Sequence, residues 1–257
     1  MQKVILISID GMRPDGLLGC GNPYVQELLK TSAYTLDAQT VYPSNTLPSH
    51  TSIFNSQIPQ HHGTLTNARV LPTKEDTGLF EHLKAAGAAN AMVYGWAPMR
   101  NLAQNGRSLM AIEFFRSRIV EHADDLLTDK ALELLRRFHP DFLFHYMPDT
   151  DDDGGHAAGW MSETYLDCVS RAIGNVKRIV DEFGEEYTVL IVTDHGGHEH
   201  DHGTDLPEDM TVPMILHGRQ FEAGRELHGV STLDIAPTIA KIMGVEPHPS
   251  WEGKPLL

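Results

Sequence analysis

The sequence is short of cysteine. It has two in 257 residues, Cys20 and Cys168, far apart and outside any Cys-x-x-Cys pattern. A disulfide framework and a cysteine zinc site are therefore not expected, and both side chains read as buried thiols. Long apolar runs are missing too. The first, Val4 to Ile9, stops at Asp10, too short for a signal-peptide core and far below the roughly 20 apolar residues of a membrane span. A cytoplasmic protein without membrane contact is the expectation. Positive charge is also scarce, with 20 Lys and Arg against 35 Asp and Glu and a formal charge of −15. Such a chain repels polyanions at long range, so no extended nucleic acid is expected as a partner. A small anion drawn to bound metals is compatible with the same charge.

A hydrophobic content of 41% lets the chain bury one sizeable core, and a single domain over 1–257 is expected. Short apolar runs at Lys3 to Ile9, Ala91 to Tyr94, Phe142 to Tyr146, Thr188 to Val192 and Val212 to Leu216 read as buried strands. Helical periodicity fills the gaps at Tyr24 to Thr31, Gly78 to Ala86, Asp124 to Phe138, Ser162 to Phe183 and Thr232 to Met243, several with Ser, Thr or Asp as cap candidates. This alternation predicts an α/β fold, a largely parallel central sheet flanked by helices in three layers. The segment 96–118 lacks clean periodicity and reads either as a small cap or as an irregular crossover.

In such a sheet ligands bind beyond the carboxyl ends of the strands. Four strand ends carry polar groups: Asp10, the run Asp149 to His156, Asp194-His195, and His217-Gly218. Carboxylates and imidazoles together suit zinc, and a pair of ions could be served. Asp152 and His156 are four apart across Gly154-Gly155, so a tight turn can aim both at one ion. Asp194-His195-Gly196-Gly197 is a turn that presents ligands where a strand stops. His198, His200 and His202 alternate with acidic residues, as a solvated polar loop or as metal ligands. Thr46 opens a helix toward Phe54, with Pro48 in its first turn. It reads either as a cap or as a nucleophile whose alkoxide the helix terminus and a metal would stabilise.

These residues resemble the alkaline phosphatase superfamily, in particular its type I phosphodiesterase/nucleotide pyrophosphatase members. The resemblance rests on Ile9-Asp10-Gly11-Met12-Arg13-Pro14-Asp15, on Pro43 to His50, on Pro59-Gln60-His61-His62-Gly63 with Asn67, on Tyr146 to Gly159, on Thr193 to Gly197, on His202-Gly203-Thr204 and on Asp234 to Ala240. It implies two divalent metal ions, expected to be zinc. One is held by Asp152, His156 and His202; the other by Asp10, Asp194, His195 and the oxygen of Thr46, the nucleophile. His198 and His200 compete with His202, whereas His61 and His62 are expected to hold a loop. Asn67 is implied to donate its side-chain amide to a phosphoryl oxygen, in place of a cation that classical phosphomonoesterases use. The expected reaction is cleavage of a phosphodiester or pyrophosphate bond in a small or nucleotide-like ester through a phosphothreonine. A phosphomonoesterase, a phosphonate hydrolase and a non-catalytic metal or phospholigand-binding module are the alternatives. Thr46 cannot yield the formylglycine of sulfatases, and Leu47 stands where many nucleotide-cleaving relatives carry Phe.

Overall fold

The computed structural model of the chain describes residues 1–68, 78–114 and 120–257. Seven described segments form one sheet: β1 (Lys3–Ile9), β2 (Ala33–Gln39), β3 (Asn90–Tyr94), β4 (Ala111–Phe114), β5 (Phe142–Met147), β6 (Tyr187–Val192) and β7 (Thr211–His217). Their order is β2-β7-β6-β1-β5-β3-β4, and every described pairing is parallel except those made by β7. The helices are α1 (Pro14–Gly19), α2 (Tyr24–Thr31), α3 (Thr46–Asn55), α4 (Pro59–His62), α5 (Leu79–Ala85), α6 (Ala123–Phe138), α7 (Glu163–Phe183), α8 (Pro207–Met210) and α9 (Ile235–Ile242). None of the described helices is long and apolar enough to cross a membrane.

Successive side chains of a strand point to opposite faces, so β1 divides its apolar residues between two cores. Val4 and Leu6 pack with residues of α3, α5 and α9. Ile5, Ile7 and Ile9 face Leu17 of α1, Val25 and Leu28 of α2, and the apolar stripes of α6 and α7. The result is the three-layer α/β sandwich that the alternation predicts. Ser162 caps α7 as expected, its side chain accepting from the Tyr165 amide. The helix expected from Thr232 begins with a 3₁₀ turn, Thr232–Asp234, before α9.

The structure departs from the sequence expectations at four places. β2 and β4 were not expected, because both are edge strands whose exposed positions interrupt the apolar pattern. His217 does not join the other strand ends. β7 runs antiparallel, so its last residue lies at the opposite rim, bonded to the Ser32 hydroxyl at 3.1 Å. Cys20 is only partly buried, while Cys168 is buried; both are free thiols. Of the segment 96–118, residues 115–118 lie outside the described ones; the rest holds a 3₁₀ stretch, Ala97–Gly106, and β4.

His145 on β5 is wholly buried, with Nε2 3.0 Å from the Thr128 hydroxyl of α6. Burial, with Arg178 adding a smaller effect, pushes its pKa down to about 3. Because the folded value lies below the ordinary value of about 6.5, the unfolded chain binds the extra proton first. Stability is therefore unaffected by this group above that value and falls as pH drops toward the folded one. At pH 5 the loss is about 2 kcal/mol. Thermal unfolding at pH 7 and pH 5 is expected to show a smaller drop in Tm for His145→Gln than for the native chain.

Candidate active site

β6, β1 and β5 are parallel neighbours, so their carboxyl ends open on one rim. Asp10 follows β1, and its amide still bonds to the Met147 carbonyl of β5 at 3.0 Å. Asp194 and His195 follow β6. Gly11 then turns the chain away at φ +66°, a left-handed conformation that glycine adopts without strain. A Cβ there would also come within 3.1 Å of Asp151. Thr46 arrives from the other side as the first residue of α3, behind Asn45 at the cap position.

Its hydroxyl caps nothing. Thr46 Oγ1 stands 3.2 Å from His195 Nε2, which is also 3.3 Å from Asp10 Oδ1 and 3.2 Å from Asp194 Oδ2. Four ligand atoms from three separate elements thus meet at one point. Ligands about 2.0 Å from a tetrahedral ion are about 3.3 Å apart, so this spacing fits a zinc-sized cation. The second group is looser. Asp151 lies within 4.8 Å of His195 and His202 by its nearest ligand atoms. Its carboxylate is 3.5 Å from His156 Nε2 and 3.9 Å from His202 Nε2. Asp152 lines the same cavity, as do Asp10, Thr46, Asn67, Trp96, Tyr146, Asp151, His156 and His202, around about 280 Å³.

Asp151 is the residue that sequence spacing passes over. The turn Thr150–Ala158 is wound as a π-helix, in which residues five apart lie on one face. Asp151 and His156 are five apart, whereas an α-helical turn would pair Asp152 with His156. The four-residue spacing to His156 points to Asp152; Asp152 lines the cavity, and Asp151 makes the contacts to His156 and His202 at 3.5 and 3.9 Å.

Hydrogen bonds fix each imidazole. His156 Nδ1 lies 2.9 Å from the His200 carbonyl, His195 Nδ1 2.8 Å from that of Gly196, and His202 Nδ1 2.9 Å from that of Ser44. A carbonyl only accepts, so each Nδ1 carries the proton and each Nε2 presents a lone pair. Such an outer partner is the usual companion of a metal-bound histidine. Burial, together with neighbouring His195, holds His202 down to about 3, and burial lowers His195. Asp10 is pushed well up by burial and by the nearby Asp194 and Asp151. Burial would raise Asp194 as well, but His195 and His50 hold it below the usual carboxylate range. Asp10 Oδ1 and Asp194 Oδ2 are buried and accept no hydrogen bond. No Lys or Arg lines the cavity among the described residues. Buried anionic oxygens and imidazole lone pairs facing one space are a donor set for divalent cations.

The remaining histidines divide as follows. His198 turns to Asp209 at 2.8 Å, and His200 Nδ1 to the His156 carbonyl at 3.1 Å. Of the three competitors, His202 is the one at the cavity. His61 pairs with Glu252 and His62 with the Ser52 hydroxyl at 2.9 Å. Asn67 Oδ1 accepts from the Leu47 amide at 2.9 Å, which leaves its NH₂ group for the cavity. Trp160 gives no sequence signal, yet its indole donates to the Gly11 carbonyl at 2.9 Å and packs edge-on against His156. A Cβ at Gly155 or Gly197 would stand 2.5 or 2.1 Å from its ring, so both glycines are required by its approach.

The type I phosphodiesterase / nucleotide pyrophosphatase family model matches residues 4–98, the stretch that carries Asp10, Thr46 and Asn67. The fold is that of mouse ectonucleotide pyrophosphatase/phosphodiesterase 5, with a TM-score of 0.83 at 15% identity over 98% of both chains. Over residues 4–98 the chain is similar to that family, and over its length it shares the fold of these neighbours. Human ectonucleotide pyrophosphatase/phosphodiesterase family member 1 is 24% identical over 221 residues, 75% of this chain and 23% of that protein. The 2,3-bisphosphoglycerate-independent phosphoglycerate mutase of Aeromonas salmonicida is 30% identical over 147 residues, 53% of this chain and 27% of that one. The chain thus spans about a quarter of the length of these curated relatives. An inactive variant of the mouse protein is also solved in complex with AMP, with a TM-score of 0.83, 15% identity and coverage of 99% of this chain and 98% of that one.

The five-residue spacing in the π turn separates two neighbouring carboxylates. Zinc titration followed by calorimetry is expected to give Asp151→Asn one tight site fewer than the native chain, while Asp152→Asn keeps the native stoichiometry.

Proposed function

We propose that this chain is a metal-dependent hydrolase of phosphodiester or pyrophosphate bonds in small, nucleotide-like esters, with Thr46 as its nucleophile. The observation that carries it is the approach of Thr46 Oγ1, Asp10 Oδ1 and Asp194 Oδ2 to within 3.2–3.3 Å of His195 Nε2, beside a cavity with no cationic side chain among its described lining residues. The resemblance to the alkaline phosphatase superfamily implies divalent metals, and the grouped ligand atoms of Asp10, Asp194 and His195 and of Asp151, His195 and His202 support that reading. Here one ion, expected to be zinc, would be held by Asp10, Asp194, His195 and the Thr46 oxygen. The other would be held by His156 and His202 with Asp151, whose neighbour Asp152 lines the same cavity. When bound, the pair supplies positive charge for the phosphoryl, attacking and leaving oxygens.

The chain's own residues do the rest. The N-terminus of α3 lowers the cost of charge on Thr46 Oγ1, which attacks phosphorus, expels the leaving oxygen and forms a phosphothreonine. Water then cleaves that ester and restores the hydroxyl. Two in-line steps predict net retention at phosphorus. Asn67, oriented by the Leu47 amide, offers its NH₂ group to a non-bridging oxygen as charge builds there. An amide rather than a cation at this place matches a monoanionic diester better than a dianionic monoester. AMP in the mouse structure and the nucleotide pyrophosphatase relatives support a nucleotide-like leaving group.

Assays with bis-p-nitrophenyl phosphate and p-nitrophenyl phosphate are expected to favour the diester. Chelation abolishes turnover and added zinc restores it; no turnover of any ester with metal bound would identify a binding module instead. Thr46→Ala is expected to lower kcat by roughly a thousandfold or more. Full turnover by that variant would mean direct attack by water. Asn67→Ala is expected to lower kcat about a hundredfold on the diester, the usual cost of losing one donor to a developing oxyanion.

A further inference from the structure

His50 has no place in the reaction as described, yet it is wholly buried one helical turn after Thr46. Its Nδ1 lies 2.8 Å from the Thr46 carbonyl oxygen and 3.3 Å from Asp194 Oδ2. Its Nε2 lies 2.9 Å from the Ser8 hydroxyl. The carbonyl only accepts, so Nδ1 carries the proton, and Nε2 accepts from Ser8 Oγ. The ring stands edge-on to Phe144 and Tyr146 of β5, with centroids 6.0 and 5.4 Å away, so its plane is fixed from the side as well.

One imidazole therefore touches all three elements that supply the tighter cation cluster: α3 through Thr46, β1 through Ser8 two residues before Asp10, and the end of β6 through Asp194. We infer that His50 is a positioning residue, which holds the first turn of α3 at a set distance from Asp194 and so keeps the Thr46 hydroxyl in line. It acts through the Thr46 carbonyl and not on the hydroxyl itself. Helix periodicity brings side chains at i and i+4 together, and here it lets the nucleophile and its brace lie on one short segment. Were His50 only a core residue, an apolar ring would serve, and neither nitrogen would need a polar partner.

The inference rests on Thr46 being the nucleophile, so the test separates the two. His50→Asn keeps an amide N–H at the place of Nδ1, His50→Gln moves it toward Nε2, and His50→Ala removes it. Each variant is loaded with zinc, its metal content measured, and kcat and KM determined on bis-p-nitrophenyl phosphate. A cobalt-loaded sample of each gives the visible spectrum of the metal's ligand field. The expected result is a fall in kcat of about a hundredfold for His50→Gln and His50→Ala at unchanged KM and metal content, the scale of a misplacement near 1 Å. Their cobalt spectra shift, whereas His50→Asn keeps most of the native kcat and the native spectrum. Native kcat and spectrum in His50→Gln, or a His50→Asn variant as impaired as His50→Ala, would overturn it. Should the substitutions at position 50 prevent folding, Ser8→Ala removes only the partner of Nε2. A smaller fall in kcat at constant KM is expected there, and an unchanged kcat would overturn the inference. Thr46→Ala runs in parallel: full turnover by that variant fails the nucleophile assignment beneath, and an inactive Thr46→Ala beside a fully active His50→Gln fails this inference alone.

Discussion

Asp10 and Asp151 line one cavity with no Lys or Arg in its described lining, Asp194 lies behind it within 4.8 Å of Asp10 and His195 by their ligand atoms, and the buried Asp10 Oδ1 and Asp194 Oδ2 accept no hydrogen bond. Burial first, and then the like charges of Asp194 and Asp151, push the pKa of Asp10 up. An arrangement of this kind costs stability unless a cation joins it, and the fold must hold it against that repulsion. Everything around the rim can be understood as that constraint being met. The three carboxylates come from different strand ends, and the parallel sheet fixes the separation of those ends.

Rigidity is added by groups that do not face the cavity. Each of His156, His195 and His202 is tied by Nδ1 to a backbone carbonyl of another segment or of its own turn. The loop 196–204 is gathered by Asp209, whose buried carboxylate accepts from His198, from the Thr204 amide at 2.8 Å and from the Thr204 hydroxyl at 2.7 Å. Ser44 bonds to the Thr204 carbonyl at 2.7 Å and so joins this loop to the segment that leads into α3. Tyr146 donates to Asp10 Oδ2, which leaves Oδ1 as the oxygen that faces His195. Side chains held in this way need little reordering when an ion or substrate arrives.

The turn Thr150–Ala158 shows how local winding and distant partners cooperate. Asp149 accepts from the Asp124 amide at 3.0 Å, and Asp124 accepts from the Asp149 amide at 3.2 Å. The first turn of α6 and the start of the ligand-bearing turn thus cap each other across a gap in sequence. Trp160, inserted against Gly155 and Gly197, closes the other side. A chain with a larger residue at either glycine could not seat the indole, and the histidines beside it would lose their wall.

The apolar runs and helical stripes were legible in the sequence, because strands buried on both faces and helices packed on one face carry strong periodicity. That Asp10, Thr46 and the pair Asp194-His195 stand at the ends of elements was legible for a related reason, since each directly follows an apolar run or opens a helical one; that their ligand atoms meet was not. The edge strands β2 and β4 were not, since half-exposed residues have no period to display. Only the tertiary structure decided that Asp151 meets His156 and His202, that His202 and not His198 faces the cavity, and that His217 lies at the far rim. Each of these depends on a direction: the pitch of one turn, the partner of one ring nitrogen, the sense of one strand. Hydrogen bonds between residues far apart in the chain set those directions, and residue type and spacing do not encode them.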